Sequence, residues 1–153
     1  MRLFIDTNVA LDYLLLRSVN SEDTEKLFVL IFMNEFEGWI SSSSITDMMY
    51  ILSNGGKKSS IENTKDMLLS FISRVIVFSF SSKEALLALK SDWNDIEDAC
   101  IYECARTIDA DCIITNNTED FKKSKIPVLN PKEFFEWLKD EHNINYSYLD
   151  EYC

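Results

Sequence analysis

Four aspartates stand where the chain could assemble acid chemistry. Asp6 ends the apolar, β-favouring run Arg2-Leu3-Phe4-Ile5. Asp47 lies in the first turn of a helical stretch after Trp39-Ile40-Ser41. Asp98 lies in the first turn of the stretch begun by Asp95, and Asp120 lies just beyond the apolar run Asp111-Cys112-Ile113-Ile114-Thr115. A buried strand that opens into a helix at an Asp puts that carboxylate at the carboxyl edge of a sheet, where ligands bind in open α/β folds. Carboxylates brought to one crevice repel one another, and desolvation raises their pKa values, so they ionise together only beside a cation. Oxygen-only ligation by a few carboxylates, with water completing the shell, suits Mg²⁺ or Mn²⁺ rather than zinc. Such ions activate water and stabilise the charge of an in-line phosphodiester displacement.

Each acid also has a plainer reading. Ser44-x-x-Asp47 and Asp95-x-x-Asp98 resemble capping boxes, and acids in a first turn suit the helix dipole. Asp120 can serve a turn after Thr118, and Asp6 can stabilise a loop. Glu97 adjoins Asp98, and either can be the inward acid. The joint pattern is what favours a site.

The elements that must position these acids follow from periodicity. After the first strand, Val9–Leu16 reads as a short helix, broken by Arg17-Ser18-Val19-Asn20. A second helix runs from Ser21 to about Phe36, with Gly38 stopping it. Trp39–Ser41 is a short strand leading to a helix that Asn54-Gly55-Gly56 closes. A fourth helix spans Ser60–Ser73, and Arg74–Phe80 is the clearest strand in the chain. Helices from Ser82 and Asp95, the Asp111–Thr115 strand, a polar turn over Asn116–Phe121 and a short Ile126–Leu129 strand complete the order. Asn130-Pro131 opens the final helix, Lys132–Lys139, with Pro at its favoured first position. Strands alternating with helices imply a parallel sheet covered on both faces.

The 153 residues suffice for one domain with a full core, and 46% hydrophobic content with 3 Gly and 2 Pro excludes a disordered chain. The net charge of −11, from 26 acidic and 15 basic residues, argues against nucleic-acid binding by charge alone. An acidic chain can process nucleic acid if metal ions bridge the like charges, and it suits a basic protein partner. No apolar run reaches 18 residues, so no membrane span is expected, and Asp6 comes too early for a signal peptide. Cys100, Cys104, Cys112 and Cys153 form no CxxC pair and His142 is the single His, which fits reduced thiols in a cytoplasmic protein.

Phe4-Ile5-Asp6-Thr7-Asn8-Val9, Ile45-Thr46-Asp47-Met48-Met49-Tyr50, Asp95-Ile96-Glu97-Asp98-Ala99 and Ile114-Thr115-Asn116-Asn117-Thr118-Glu119-Asp120-Phe121 resemble the successive blocks of PIN domains. These are metal-dependent nucleases that include the toxins of VapBC toxin–antitoxin pairs. The resemblance runs from Met1 to about Leu138. It implies a three-layer α/β/α sandwich with a central, mainly parallel sheet of four to five strands, occupying residues 1–140. An acidic tail, 141–153, follows. It also implies a Mg²⁺- or Mn²⁺-dependent endoribonuclease leaving a 3′-hydroxyl and a 5′-phosphate. Asp6, Asp47 and Asp98 would be the core metal-binding acids and Asp120 the looser fourth. Asn8, Thr115 and Asn117 would hold them in place, because ligating carboxylates need hydrogen-bonded support.

Two positions depart from the family pattern. Asp47 is shorter than the Glu of many relatives, and Asn116 stands near where many carry a basic residue. The expected partners are RNA, a basic antitoxin protein and a second copy of the chain. The apolar excess of the first two helices, Leu14–Leu16 and Phe28–Phe32, is the expected interface. The alternative is a catalytically inactive PIN-fold module binding RNA or protein. An aspartyl-phosphate enzyme is disfavoured, since Asn8 stands where a second Asp is needed.

Overall fold

The structure is a computed structural model that describes residues 1–16 and 21–149. Those residues form five strands and seven helices in the order β1 (Arg2–Ile5), α1 (Thr7–Leu14), α2 (Ser21–Phe32), β2 (Glu37–Ser41), α3 (Ser42–Leu52), α4 (Lys58–Ile72), β3 (Ile76–Phe78), α5 (Ser82–Lys90), α6 (Ile96–Thr107), β4 (Cys112–Ile114), β5 (Val128–Leu129) and α7 (Pro131–His142). The break expected at 17–20 and Cys153 lie outside the described residues.

All four strand pairings are parallel, in the order β3-β2-β1-β4-β5. The chain steps outward from β1 through β2 to β3, then returns to place β4 on the other side of β1. The order therefore reverses between β1 and β4, which is where ligands enter open parallel sheets. Alternation along β1 feeds two cores. Leu3 and Ile5 join residues of α1–α4 and α7, whereas Phe4 joins Ile113, Phe121 and α6 on the opposite face. α5 packs against α6 and completes the second helical layer.

Three sequence expectations move. α2 stops at Phe32 rather than Phe36, because Asn34 turns left-handed at φ 62°. Gly38 is inside β2 rather than after a helix, and a Cβ there would stand 2.7 Å from Ile31 Cγ2. It admits α2 against the sheet. The run 74–80 yields only the three-residue β3, an edge strand with Ile76 exposed.

Helix starts show local causes. Ser81 and Asn130 each make a reciprocal capping box, with Glu84 and Glu133, and Pro131 follows Asn130. Beyond α7, Ile144 and Tyr146 pack against the main core, with the Tyr146 ring 5.8 Å from that of Phe36.

Candidate active site

Asp6 leaves β1 with its backbone N–H bonded to Ile114 O of β4 at 2.9 Å, so it sits at the reversal of strand order. It is only 5% exposed. Asn8 Nδ2 and Thr115 Oγ1 both donate to Asp6 Oδ2 at 2.7 Å. Asn8 Nδ2 also reaches Thr115 Oγ1 at 3.2 Å, and the Asn117 backbone N–H donates to that hydroxyl at 3.1 Å. Both side-chain donors thus converge on one oxygen, Oδ2. Burial raises the Asp6 carboxyl above its ordinary 3.8, against the lowering effect of these hydrogen bonds.

Asp98 lies in the first turn of α6. Asp95 caps that helix through Oδ1, which accepts from Glu97 N at 2.8 Å and Asp98 N at 3.3 Å. Half of the expected capping box is thus formed by Asp95, while the Asp98 carboxylate lies among other acids. Burial, then the charges of Asp95, Asp6, Asp120 and Glu97, push Asp98 up to about 6. Glu97 is also raised, by burial and then by Asp47, Asp6 and Asp95.

The charge of Asp6 thus bears on both neighbouring acids of α6, with that of Asp120 acting also on Asp98 and that of Asp47 on Glu97. Asp120 is exposed on a 3₁₀ turn over Thr118–Phe121, its N–H bonded to Asn117 O at 3.0 Å.

The plain capping reading of Asp47 fails. Ser41 is the N-cap of α3, its Oγ accepting from Ser43 N, so Asp47 lies beyond the first turn. Ser44 instead accepts from Thr7 Oγ1 at 2.7 Å in a buried contact that ties the start of α1 to that of α3. Sequence reasoning also missed Asn116. Its N–H donates to Asn8 Oδ1 at 3.2 Å and its Nδ2 to Asp12 Oδ2 at 2.8 Å. Only the Asp-x-Asn spacing hinted at this, and pairing β1 with β4 is what creates it.

A divalent cation fits this donor set. Among the described residues no three acid, imidazole or thiol side chains stand in ligating reach of one point. Mg²⁺, however, is commonly held by one or two carboxylates, with waters and substrate phosphate supplying the rest. Asp6 and Asp98 would be the candidates for that pair, since the charge of Asp6 acts on Asp98.

Residues 2–119 match the family model described as a PIN domain. The chain belongs to the PIN domain family. The PIN fold is the three-layer arrangement described above. The chain is 28% identical over 138 residues to Ribonuclease VapC1 of Aquifex aeolicus (strain VF5), covering 88% of this chain and 94% of that relative. The fold resembles a crystal structure of VapBC2 from Rickettsia felis bound to a promoter DNA fragment, with TM-score 0.62 and 21% identity over 85% of this chain and 98% of that one. It also resembles DNA-bound VapBC from Salmonella typhimurium, with TM-score 0.66 and 19% identity over 86% and 98% of the two chains. At these identities the structural likeness concerns the fold.

The remaining sequence features of this PIN domain fall into packing. Trp93 stacks on Tyr102 at 4.9 Å, and Trp137 lies 6.2 Å from Phe134. Lys122 pairs with Glu119 and Lys123 with Asp92, so these two neighbouring lysines are matched internally. Cys104 is buried, its thiol pushed up to about 12, first by burial, which makes it a poor nucleophile.

Of the apolar excess expected to form an interface on the first two helices, Leu15 and Leu16 are exposed. Phe28, Leu30 and Ile31 are buried, and Tyr13, Phe28, Phe32 and Phe71 form one aromatic cluster. Exposed apolar surface lies also on α3 and α4. There Met49, Tyr50 and Leu69 line a groove of about 600 Å³. Among the described residues no helix is long and apolar enough to cross a membrane.

Proposed function

We propose that this PIN domain is a cytoplasmic, Mg²⁺- or Mn²⁺-dependent endoribonuclease and the toxin of a toxin–antitoxin pair. The observation that carries the reading is the buried Asp6 carboxylate where the strand order reverses, its Oδ2 held by Asn8 and Thr115, with the Asp98 carboxyl raised by burial and by neighbouring acids that include Asp6. The ribonuclease name of the Aquifex relative supports the reaction, and the VapBC complexes of similar fold support the partner.

The cation, when bound, supplies positive charge that activates water and offsets charge on the phosphate in flight. The chain's own residues prepare the place. Thr115 and Asn8 fix one oxygen of Asp6, so its carboxylate loses little freedom on ligation. Burial, and then the charges of neighbouring acids, raise Asp98, and a nearby cation would offset both. The Thr7–Ser44 hydrogen bond ties the start of α1, next to Asp6, to the start of α3, the helix that carries Asp47. Net charge of −11 suits a basic antitoxin segment, and the apolar α3–α4 groove suits the apolar face of its helix.

The test is cleavage of a mixed structured RNA with Mn²⁺, with EDTA, and by the Asp6→Asn and Asp98→Asn variants. Metal-dependent cutting lost in both folded variants is expected. Undiminished cutting by either variant defeats the mechanism. A second reading, an inactive binding module, is favoured by the exposed and shortened Asp47; folded protein with no Mn²⁺ affinity by titration would select it.

A further inference from the structure

A cavity of about 160 Å³ opens beside Asp47 and Glu97. It is open at a rim carrying exposed Ser43, Asp47 and Glu97, and it deepens toward buried Ser44 and Ile101, with Phe80 half-buried in its wall. Its volume equals the liquid share of about five waters. That is well below the roughly 300–1,000 Å³ of sites for drug-sized molecules. One planar heterocycle is the appropriate scale.

The lining narrows the chemistry further. Phe80 and Ile101 offer apolar surface, and the Phe80 backbone is pinned by its N–H bond to Ser42 Oγ at 3.0 Å. Asp47 and Glu97 at the rim oppose an anion, so a phosphate group is not the occupant. Phe80 and Ile101 supply no ligand for a cation within the cavity. What fits is a neutral ring with flat faces and an N–H-bearing edge, since a carboxylate accepts hydrogen bonds and donates none.

We propose that this cavity is a subsite for the nucleobase flanking the scissile phosphate, with Phe80 as its stacking face and Glu97 as the acceptor that selects guanine. The inference rests on the ribonuclease reading above. Guanine presents N1–H and the N2 amino group side by side, so it satisfies both oxygens of one carboxylate. Uracil offers one N–H between two carbonyls, which face the carboxylate unfavourably. Bases of single-stranded RNA are commonly read in this way, by stacking on an aromatic ring and bonding along the Watson–Crick edge.

The experiment compares four RNAs differing only in the base next to one cut site, with Mn²⁺, for the unmodified protein, Phe80→Ala and Glu97→Gln. Binding of guanosine 5′-monophosphate and uridine 5′-monophosphate, which contain no diester to cut, is measured in parallel by ligand-observed NMR. The guanine RNA should be cut best. Phe80→Ala should lower kcat/KM on it about 5- to 150-fold, the equivalent of roughly 1–3 kcal/mol of stacking per base. Glu97→Gln should reduce the preference of guanine over uracil.

Ser43→Gln, which fills the cavity mouth from an exposed position, should reproduce the loss if Phe80→Ala does not fold. Equal cutting of all four RNAs, or a preference indifferent to these variants, overturns the subsite and leaves the nuclease standing. Phe80-dependent binding of guanosine monophosphate by a protein that cuts nothing supports the subsite and defeats the nuclease. Neither cutting nor binding defeats both.

Discussion

Thr115 Oγ1 donates to Asp6 Oδ2 at 2.7 Å, joining side chains 109 positions apart through the pairing of β1 with β4. Partners that hold a metal-ligating carboxylate in this way typically contribute 10–100-fold to affinity or activity. Thr115→Val keeps the shape and removes the donor. It should weaken Mn²⁺ affinity by about that factor in calorimetric titration. It should also cost about 1–3 kcal/mol in urea unfolding, by leaving a buried acceptor short of a partner. Unchanged Mn²⁺ affinity would mean that Thr115 merely packs.

The raised pKa of Asp98 fixes a pH dependence. In the folded protein it titrates at about 6, against 3.8 ordinarily. Its contribution to stability is therefore fully present below about 3.8 and is lost as pH rises through about 6. Mn²⁺ competes with the proton, so metal affinity should rise across the same window. For metal-free protein, Asp98→Asn should flatten the fall in Tm between pH 4 and 7. An identical Tm profile in the variant would remove Asp98 as its source.

Gly38 is required by close approach rather than by its backbone angles. Gly38→Ala should cost about 1–3 kcal/mol, an ordinary penalty for overpacking, because the new methyl meets the buried Ile31 side chain at 2.7 Å. Denaturant unfolding measures it. Full stability would show that α2 can shift from β2 without cost.

The α3–α4 groove gives a prediction for the partner. Leu69 is 68% exposed, so Leu69→Glu should change stability by no more than about 0.5 kcal/mol. It should nevertheless weaken the complex with the basic product of an adjoining reading frame at least tenfold in co-purification and titration. Equal binding would move the antitoxin surface elsewhere.

The acids, their order and the alternation of strands and helices are legible in the sequence, because local pattern encodes them. Asp6 after an apolar strand and Asp95 before a helix need only neighbours to define them, and Pro131 after Asn130 marks the start of α7 without any tertiary knowledge. The family blocks place Asn8 and Thr115 beside Asp6, and the structure bonds both to its Oδ2.

What only tertiary structure decided is which apolar and polar groups meet across the sheet. The phenylalanines of α2 read as surface excess because periodicity cannot reveal the Tyr13–Phe28–Phe71 cluster that absorbs them. Gly38 reads as a stop because its sequence neighbours do not disclose Ile31 above it. The run 74–80 reads as a strong strand, but an edge position with one neighbour supports only three residues of pairing. Likewise, that the charge of Asp47 acts on Glu97 and that of Asp120 on Asp98 is a property of the folded chain that spacing does not disclose. Spacing supplies the acids, but strand order sets the distances between them, and electrostatic repulsion depends on distance.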